Sequence, residues 1–288
     1  MTSIAIVTRI NKIELPYIGS FISHYNSIGV TRFYFVNQYQ EQYDTIHEYI
    51  SKITSNFKLI QAETEEVNQM QHAAFDCISE EFILHVDADE YLELRCGNSI
   101  SDLIKKYDAD LYLIKWVIVP NDRFENFPRI RGSLAAHTKV LIRKSIILDS
   151  KIRIHGYEKA KIKEGIKKVN VDRKHANLIH YWSRTFNDII LKSSVQVGLM
   201  SWKNTDEKNI IYPRLKILAR LSKMNRSFKL KGFYLNVDTE KESELINSIS
   251  IEDIVKQQRD FYVEFKRNVN KNNLPKRINW STLYKLSL

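Results

Sequence analysis

The segment FILHVDADEYLEL, Phe82 to Leu94, places three carboxylates within four residues directly after an apolar run. Phe82, Ile83, Leu84 and Val86 read as a buried strand. Asp87, Asp89 and Glu90 then repel one another unless positive charge lies among them. A D-x-D after a hydrophobic strand is, in outline, a site for a hard cation. Mn2+ and Mg2+ favour oxygen ligands and are held by a few carboxylates together with substrate phosphates. Alternate residues of an extended chain point to opposite sides, so a turn is needed to bring Asp87 and Asp89 to one ion. Such an ion removes the repulsion and anchors a diphosphate.

The elements around this segment predict how it is positioned. Ser3–Thr8 reads as a strand, and Leu15, Ile18, Phe21, Ile22 and Tyr25 follow at helical spacing, with Gly29 as the stop. Arg32–Gln38 is a second strand. Tyr43, Ile46, Tyr49, Ile50 and Ile53 mark a second helix, and Phe57–Gln61 is a third strand. A helix is expected from about Val67 to Ile78, before the quoted strand. This alternation predicts βαβ units and a mostly parallel sheet, whose ligands bind beyond the carboxyl ends of the strands. After Asp110 the pattern changes. Asp110–Val119 and His137–Ser145 read as strands with no clear helix between them, which predicts an antiparallel edge or a β-rich insertion. His175–Trp182 is a further strand. From Thr185 onward the spacing is helical, and a domain boundary is placed near Ser183. The chain thus divides into residues 1–182 and a helical region, 183–288.

The chain has 288 residues, of which 43% are hydrophobic, enough for a sizeable core. Cys77 and Cys96 have neither metal-ligand spacing nor the look of a disulfide framework, so a reducing cytoplasm is expected. No apolar run is long enough to span a membrane, and the start of the chain does not read as a signal peptide. The net charge of +10 favours acidic partners. Lys208–Lys231 is strongly basic, with Leu215, Leu218 and Leu221 recurring among the charges. It reads as a basic amphipathic helix able to lie on an anionic membrane surface. Nucleic acid is not expected as a partner, because no known binding motif occurs and the aromatics are not interleaved with the basic residues. Lys139 and Arg143 in HTKVLIRKS share one strand face and could contact phosphate.

The segment ILHVDADEYLEL resembles the D-x-D-E-[FY]-L segment of family-2-like glycosyltransferases of the GT-A fold. IAIVTRINKIELPYIGSFISHYNSIGVTRFYFVNQ resembles the opening of that family, although Asn11 and Glu14 are separated here and Asn37-Gln38 stands where many members have Asp-Asn. KVLIRKSIILDSKIRIHGY resembles the family's K-x-x-x-R segment followed by His-Gly. IHYWSRTFNDIILKS resembles its H-Y segment before a helix carrying Ser and Lys. The likeness covers about residues 3–200, and the order of the segments is more specific than any one of them.

The resemblance implies an α/β fold of GT-A type, Rossmann-like, with a mostly parallel central sheet flanked by helices and a helical C-terminal region. It implies a hexosyltransferase-like enzyme that uses Mn2+ or Mg2+ and a nucleotide-sugar donor, most simply a UDP-sugar. The acceptor is then a saccharide or lipid-linked saccharide in bacterial surface polysaccharide or lipooligosaccharide synthesis, at the inner face of the plasma membrane. Asp87 and Asp89 are expected to hold the ion, with Asp87 also on the ribose side. Thr8, Arg9 and Asn37 are expected to line the nucleotide, and His155 or His180 to complete the metal shell. An inverting mechanism needs a carboxylate base, for which Asp122, Glu125 and Glu158 are candidates. Two other classes stay open: a nucleotidyltransferase-like enzyme, against which the lack of a Gly-rich phosphate loop counts, and a non-catalytic sugar-nucleotide-binding module.

Overall fold

The computed structural model describes residues 2–62, 70–119, 131–149, 161–181, 184, 188, 191–192, 228–229 and 236–248. β1 (Ile4–Ile10) is followed by α1 (Leu15–Ser27), β2 (Arg32–Asn37), α2 (Tyr43–Ser51) and β3 (Phe57–Gln61), as the spacing predicts. Then come β4 (Phe82–His85), β5 (Glu90–Leu94), α3 (Ile100–Tyr107), β6 (Leu111–Val119), β7 (Arg131–Arg143), β8 (Lys168–Asn170) and β9 (Ala176–Tyr181). Phe228–Lys229 forms β10, and Thr239–Asn247 forms α4.

Local chemistry sets several of these boundaries. Pro16 opens α1, where its missing N–H costs nothing, and Gly29 ends the helix at φ 91°, a left-handed conformation open to glycine. α3 starts with a capping box. The Ser99 hydroxyl accepts from the Asp102 N–H, and the Asp102 carboxylate accepts from the Ser99 N–H. The helix expected over Val67–Ile78 is different in its described part, since Met70–Cys77 is a 3-10 helix. Both helix types bring residues three apart to the same side, so a short apolar spacing of three does not separate them.

The sheet order is β3-β2-β1-β4-β7-β6-β9-β5, with β8 beside β6 and β10 beside β7. From β3 to β4 every pairing is parallel. β7 enters antiparallel to both β4 and β6, which supplies the expected antiparallel portion. The strand residues alternate between two cores. Ile4, Ile6, Phe33, Phe35, Phe82 and Leu84 face α1 and α3. Ala5, Val7, Tyr34, Val36, Ile83 and Ile142 face Ala74 of the 3-10 segment and Ile78 just after it. The architecture is mixed α/β, a central sheet flanked by helices.

Connectivity forces the sheet to curl. β4 and β5 are joined by only four residues, yet β7, β6 and β9 lie between them. Four strand spacings in a flat sheet span about 19 Å. Five residue steps reach at most about 18 Å when fully extended, and this connection is a turn. The far edge therefore bends back, and β5 arrives beside the end of β4.

Residues beyond position 183 also meet this body. Asn236 and Asp238 hydrogen-bond to Ser20 and Pro16 of α1, Tyr17 donates to Glu242, and Leu245 packs with Ile13 and Leu191. Most of the basic segment Lys208–Lys231 lies outside the described residues. Its Phe228 and Lys229 are strand rather than helix, because their backbones pair with Gly132 and Arg131 of β7. Among the described residues no helix is long and apolar enough to cross a membrane.

Candidate functional site

The site is the D-A-D-E turn between β4 and β5. The Glu90 N–H donates to the Asp87 carbonyl at 2.9 Å, closing a reverse turn. In return the Asp87 N–H donates to Glu90 Oε2 at 2.8 Å, so backbone and side chain both brace the bend. β1 has β2 on one side and β4 on the other, so strand order reverses between β1 and β4. The turn lies beyond their carboxyl ends.

Asp87 meets two cations there. Arg9, near the end of β1, donates to Oδ1 at 3.0 Å, and Lys139 of β7 donates to Oδ2 at 2.8 Å. Burial works against the charge of Asp87, but Lys139 and Arg9 outweigh it and hold the carboxyl well below the usual carboxylate range. Lys139 is fully buried and also lies 3.2 Å from Glu90 Oε2. Its ammonium is 5.7 Å from the centre of the Trp116 ring.

Asp89 meets a different pair. Lys192 donates to Oδ2 at 2.6 Å, and His180 Nε2 lies 3.6 Å from Oδ1. Burial again opposes the charge, and Lys192 and His180 reverse it, so Asp89 stays ionised well below its ordinary range. His180 moves the opposite way. Burial lowers its pKa, but Asp89 raises it further, leaving the imidazole more readily protonated than usual.

Behind Lys192 stands a stripe of charge at helical spacing. Lys192 lies 3.3 Å from Asp188, four residues earlier, and Asp188 is bound through both carboxylate oxygens by Arg184, four residues earlier again. Arg184 is fully buried. It pairs with Glu14 at 2.5 Å, lies 3.4 Å from the Ala88 carbonyl between the two aspartates, and covers the Tyr17 ring at 3.7 Å. The described part of the 183–288 region thus builds directly into the turn.

Glu90 is fully buried, and its Oε1 has no hydrogen-bond partner. Burial pushes its pKa up to about 7, Lys139 pulls against this, and the Asp87 charge adds to the rise. Thr8 is buried and donates to the Arg9 carbonyl. Asn37, at the end of β2, donates to the Tyr39 carbonyl and to Gln61 Oε1, each at 2.7 Å, while its own buried Oδ1 has no partner. Arg143 does not join this group. It lies four residues from Lys139 on the same face of β7, at the opposite end of β4, where it pairs with Glu81 and Asp110. His155, Asp122, Glu125 and Glu158 lie outside the described residues.

The expected divalent ion can be tested against this donor set. Both oxygens of Asp87 and both of Asp89 already face a nitrogen group of the protein. Among the described residues no three of His, Cys, Asp and Glu are placed to hold an ion. The turn exists, but it delivers Asp87 and Asp89 to separate protein cations rather than to a shared one. The described residues, as arranged, do not fit a metal centre.

Sequence reasoning missed Arg184, Asp188 and Lys192. Their R-x-x-x-D-x-x-x-K spacing inside SRTFNDIILKS was the available signal, since it lines three charges along one helix face. Glu90 was visible as a third acid, but its partnership with Lys139 was not.

No protein-family model matches the chain, and neither does any curated protein. Solved structures with a similar chain course exist. S. aureus TarS 1-349 in complex with UDP-GlcNAc matches at 15% identity and a TM-score of 0.46, over 85% of this chain and 70% of that one. GalNAc-T7 with UDP, GalNAc and Mn2+ matches at 13% identity and a TM-score of 0.43, over 96% of this chain and 58% of that one. HddC from Yersinia pseudotuberculosis matches at 16% identity and a TM-score of 0.42, over 62% of this chain and 93% of that one. Likeness at this level concerns the course of the chain and assigns no chemistry.

Proposed function

We propose that the chain is a GT-A-type glycosyltransferase that moves a sugar from a UDP-sugar to a hydroxyl of a saccharide or lipid-linked saccharide acceptor. One observation supports this above others: Arg9 and Lys139 converge on Asp87 at the reversal of strand order, beyond the carboxyl ends of β1 and β4. Open α/β sheets bind their ligands at such points. The likeness of the D-A-D-E segment to the glycosyltransferase family supplies the class of reaction.

In that reaction the bond between the anomeric carbon and the diphosphate oxygen breaks, and its electron pair leaves with the nucleoside diphosphate. The acceptor oxygen bonds to the same carbon, and its proton passes to a base. An inverting course assigns that base to a carboxylate, with Asp122, Glu125 and Glu158 as the candidates. Arg9 and Lys139 place fixed positive charge where the leaving diphosphate gains negative charge. Asn37 Oδ1 offers an acceptor to a nucleoside N–H or ribose O–H, and a buried acceptor without a partner is costly unless a ligand completes it. No step is routed through a divalent ion, because the donor set of the described residues does not fit one. The setting we infer, bacterial surface polysaccharide or lipooligosaccharide assembly at the cytoplasmic face of the membrane, rests on the family likeness and the basic segment.

Calorimetric titration of the full chain with UDP, GDP, CMP and their sugar conjugates tests the reading. One nucleoside diphosphate and its sugar conjugate should bind, and Arg9→Ala should weaken both by about tenfold or more. A chain that binds none of them, or that transfers a nucleotidyl group to a sugar phosphate, is not this enzyme.

A further inference from the structure

We propose that Lys192 is a built-in counter-cation that takes the position a divalent ion would hold beside Asp89, so that the nucleotide diphosphate is bound without a metal. The inference rests on the nucleotide reading above for the identity of the ligand. The case for the lysine itself stands on geometry. Its ammonium lies 2.6 Å from Asp89 Oδ2, and the residue is 4% exposed. A lysine compensating a surface acid by chance would keep its head group in water. This one is fixed from behind: Asp188 lies 3.3 Å from it, Arg184 grips Asp188, and Arg184 is seated against Glu14 and Tyr17.

The remaining oxygens leave little room for an ion. Asp89 Oδ1 faces His180, and the two oxygens of Asp87 hold Arg9 and Lys139. An ion entering at either aspartate lies directly beside one of these protein cations and is repelled by it. Arg184 also reaches the Ala88 carbonyl, so the stripe that carries Lys192 holds the turn itself.

The test uses chelator-treated full-length chain. Mn2+ is titrated in with and without UDP, free Mn2+ is read by electron paramagnetic resonance, and UDP affinity is read by calorimetry. The wild type should bind no Mn2+ alone, and none with UDP beyond what the same UDP binds in a protein-free control, and UDP affinity in EDTA and in Mn2+ should agree within about threefold. Lys192→Met keeps the length of the side chain and removes its charge. It should gain one Mn2+ site on Asp89 and His180, and bind UDP about tenfold or more weakly in EDTA, with Mn2+ restoring the loss. A stoichiometric Mn2+ site in the wild type, alone or with UDP, overturns the inference whether or not the variant folds. So does a folded Lys192→Met chain with unchanged Mn2+ and UDP binding. If no nucleotide binds under any condition, the nucleotide reading fails separately, and the Mn2+ titrations still decide whether Lys192 fills the cation position.

Discussion

β4 and β7 lie side by side and carry ion pairs at both ends, and the two ends are not alike. At the amino end of β4, Arg143 pairs with Glu81 and Asp110, and all three side chains keep roughly a third of their surface in water. At the carboxyl end, four residues away along the same face of β7, Lys139 and Glu90 are fully buried together, and Asp87, the other partner of Lys139, keeps 19% of its side chain in water. Strand, face and type of charge are shared. The difference is desolvation. An exposed pair contributes little and costs little. A buried cluster of acids and cations contributes little net stability yet becomes expensive once one member is removed. Among the described residues of β4 and β7 the buried cluster stands only at the carboxyl end, and on the function proposed above it is kept there for the ligand it binds.

The largest test of this contrast is Lys139→Met. It leaves Asp87 with Arg9 as its ion-pair partner and Glu90 with none, and should lower unfolding stability by about 3–5 kcal/mol in urea titration. A loss below about 1 kcal/mol, the range of surface pairs, would erase the difference between the ends.

The next effect is a pH dependence centred on Glu90. Its carboxyl has an ordinary pKa of 4.5, raised to about 7 in the fold. Between those values the folded chain binds more protons than the unfolded one. The stability this contributes is complete below 4.5 and is lost as pH rises through 7. His180, also raised, acts in the same direction, so the measurement is a difference. Between about pH 5 and 8 wild type should lose up to roughly 3 kcal/mol relative to Glu90→Gln. Parallel stability curves for the two chains would place the Glu90 proton elsewhere.

At the other end, Arg143→Met should cost about 1 kcal/mol or less. Salt then sharpens the comparison with the smallest effect. Raising NaCl to about 1 M shortens the screening length to roughly 3 Å. It should remove most of the Arg143 contribution and leave that of Lys139 nearly unchanged. Equal salt sensitivity at both ends would mean that water reaches both.

Much of this was legible in the chain. β1 to β3 and α1 to α2 are spaced as their apolar periods predict, and the D-A-D-E segment stands out because three acids after a buried strand contradict the pattern before them. Other elements were hidden for physical reasons. β5 follows β4 after four residues, and its apolar residues continue the same run, so one strand and two look alike until their partners are known. Asp87 and Asp89 looked like ligands waiting for an ion because a sequence shows the acids together and their cations far apart. Lys139 and Lys192 are 52 and 103 residues away from the aspartates they bind.

The order of residues by itself settled where β1 to β4 and the first two helices lie, and that a cluster of like charge ends the fourth strand. Local periodicity and charge spacing are properties of neighbours, and neighbours are what a sequence records. Which charges answer that cluster was decided only by the fold. The curl of the sheet, imposed by a short β4–β5 connection, brings β7, β9 and the Arg184–Lys192 stripe around one turn. Coulomb energy depends on distance in space and on the loss of water, and neither exists until the chain has closed.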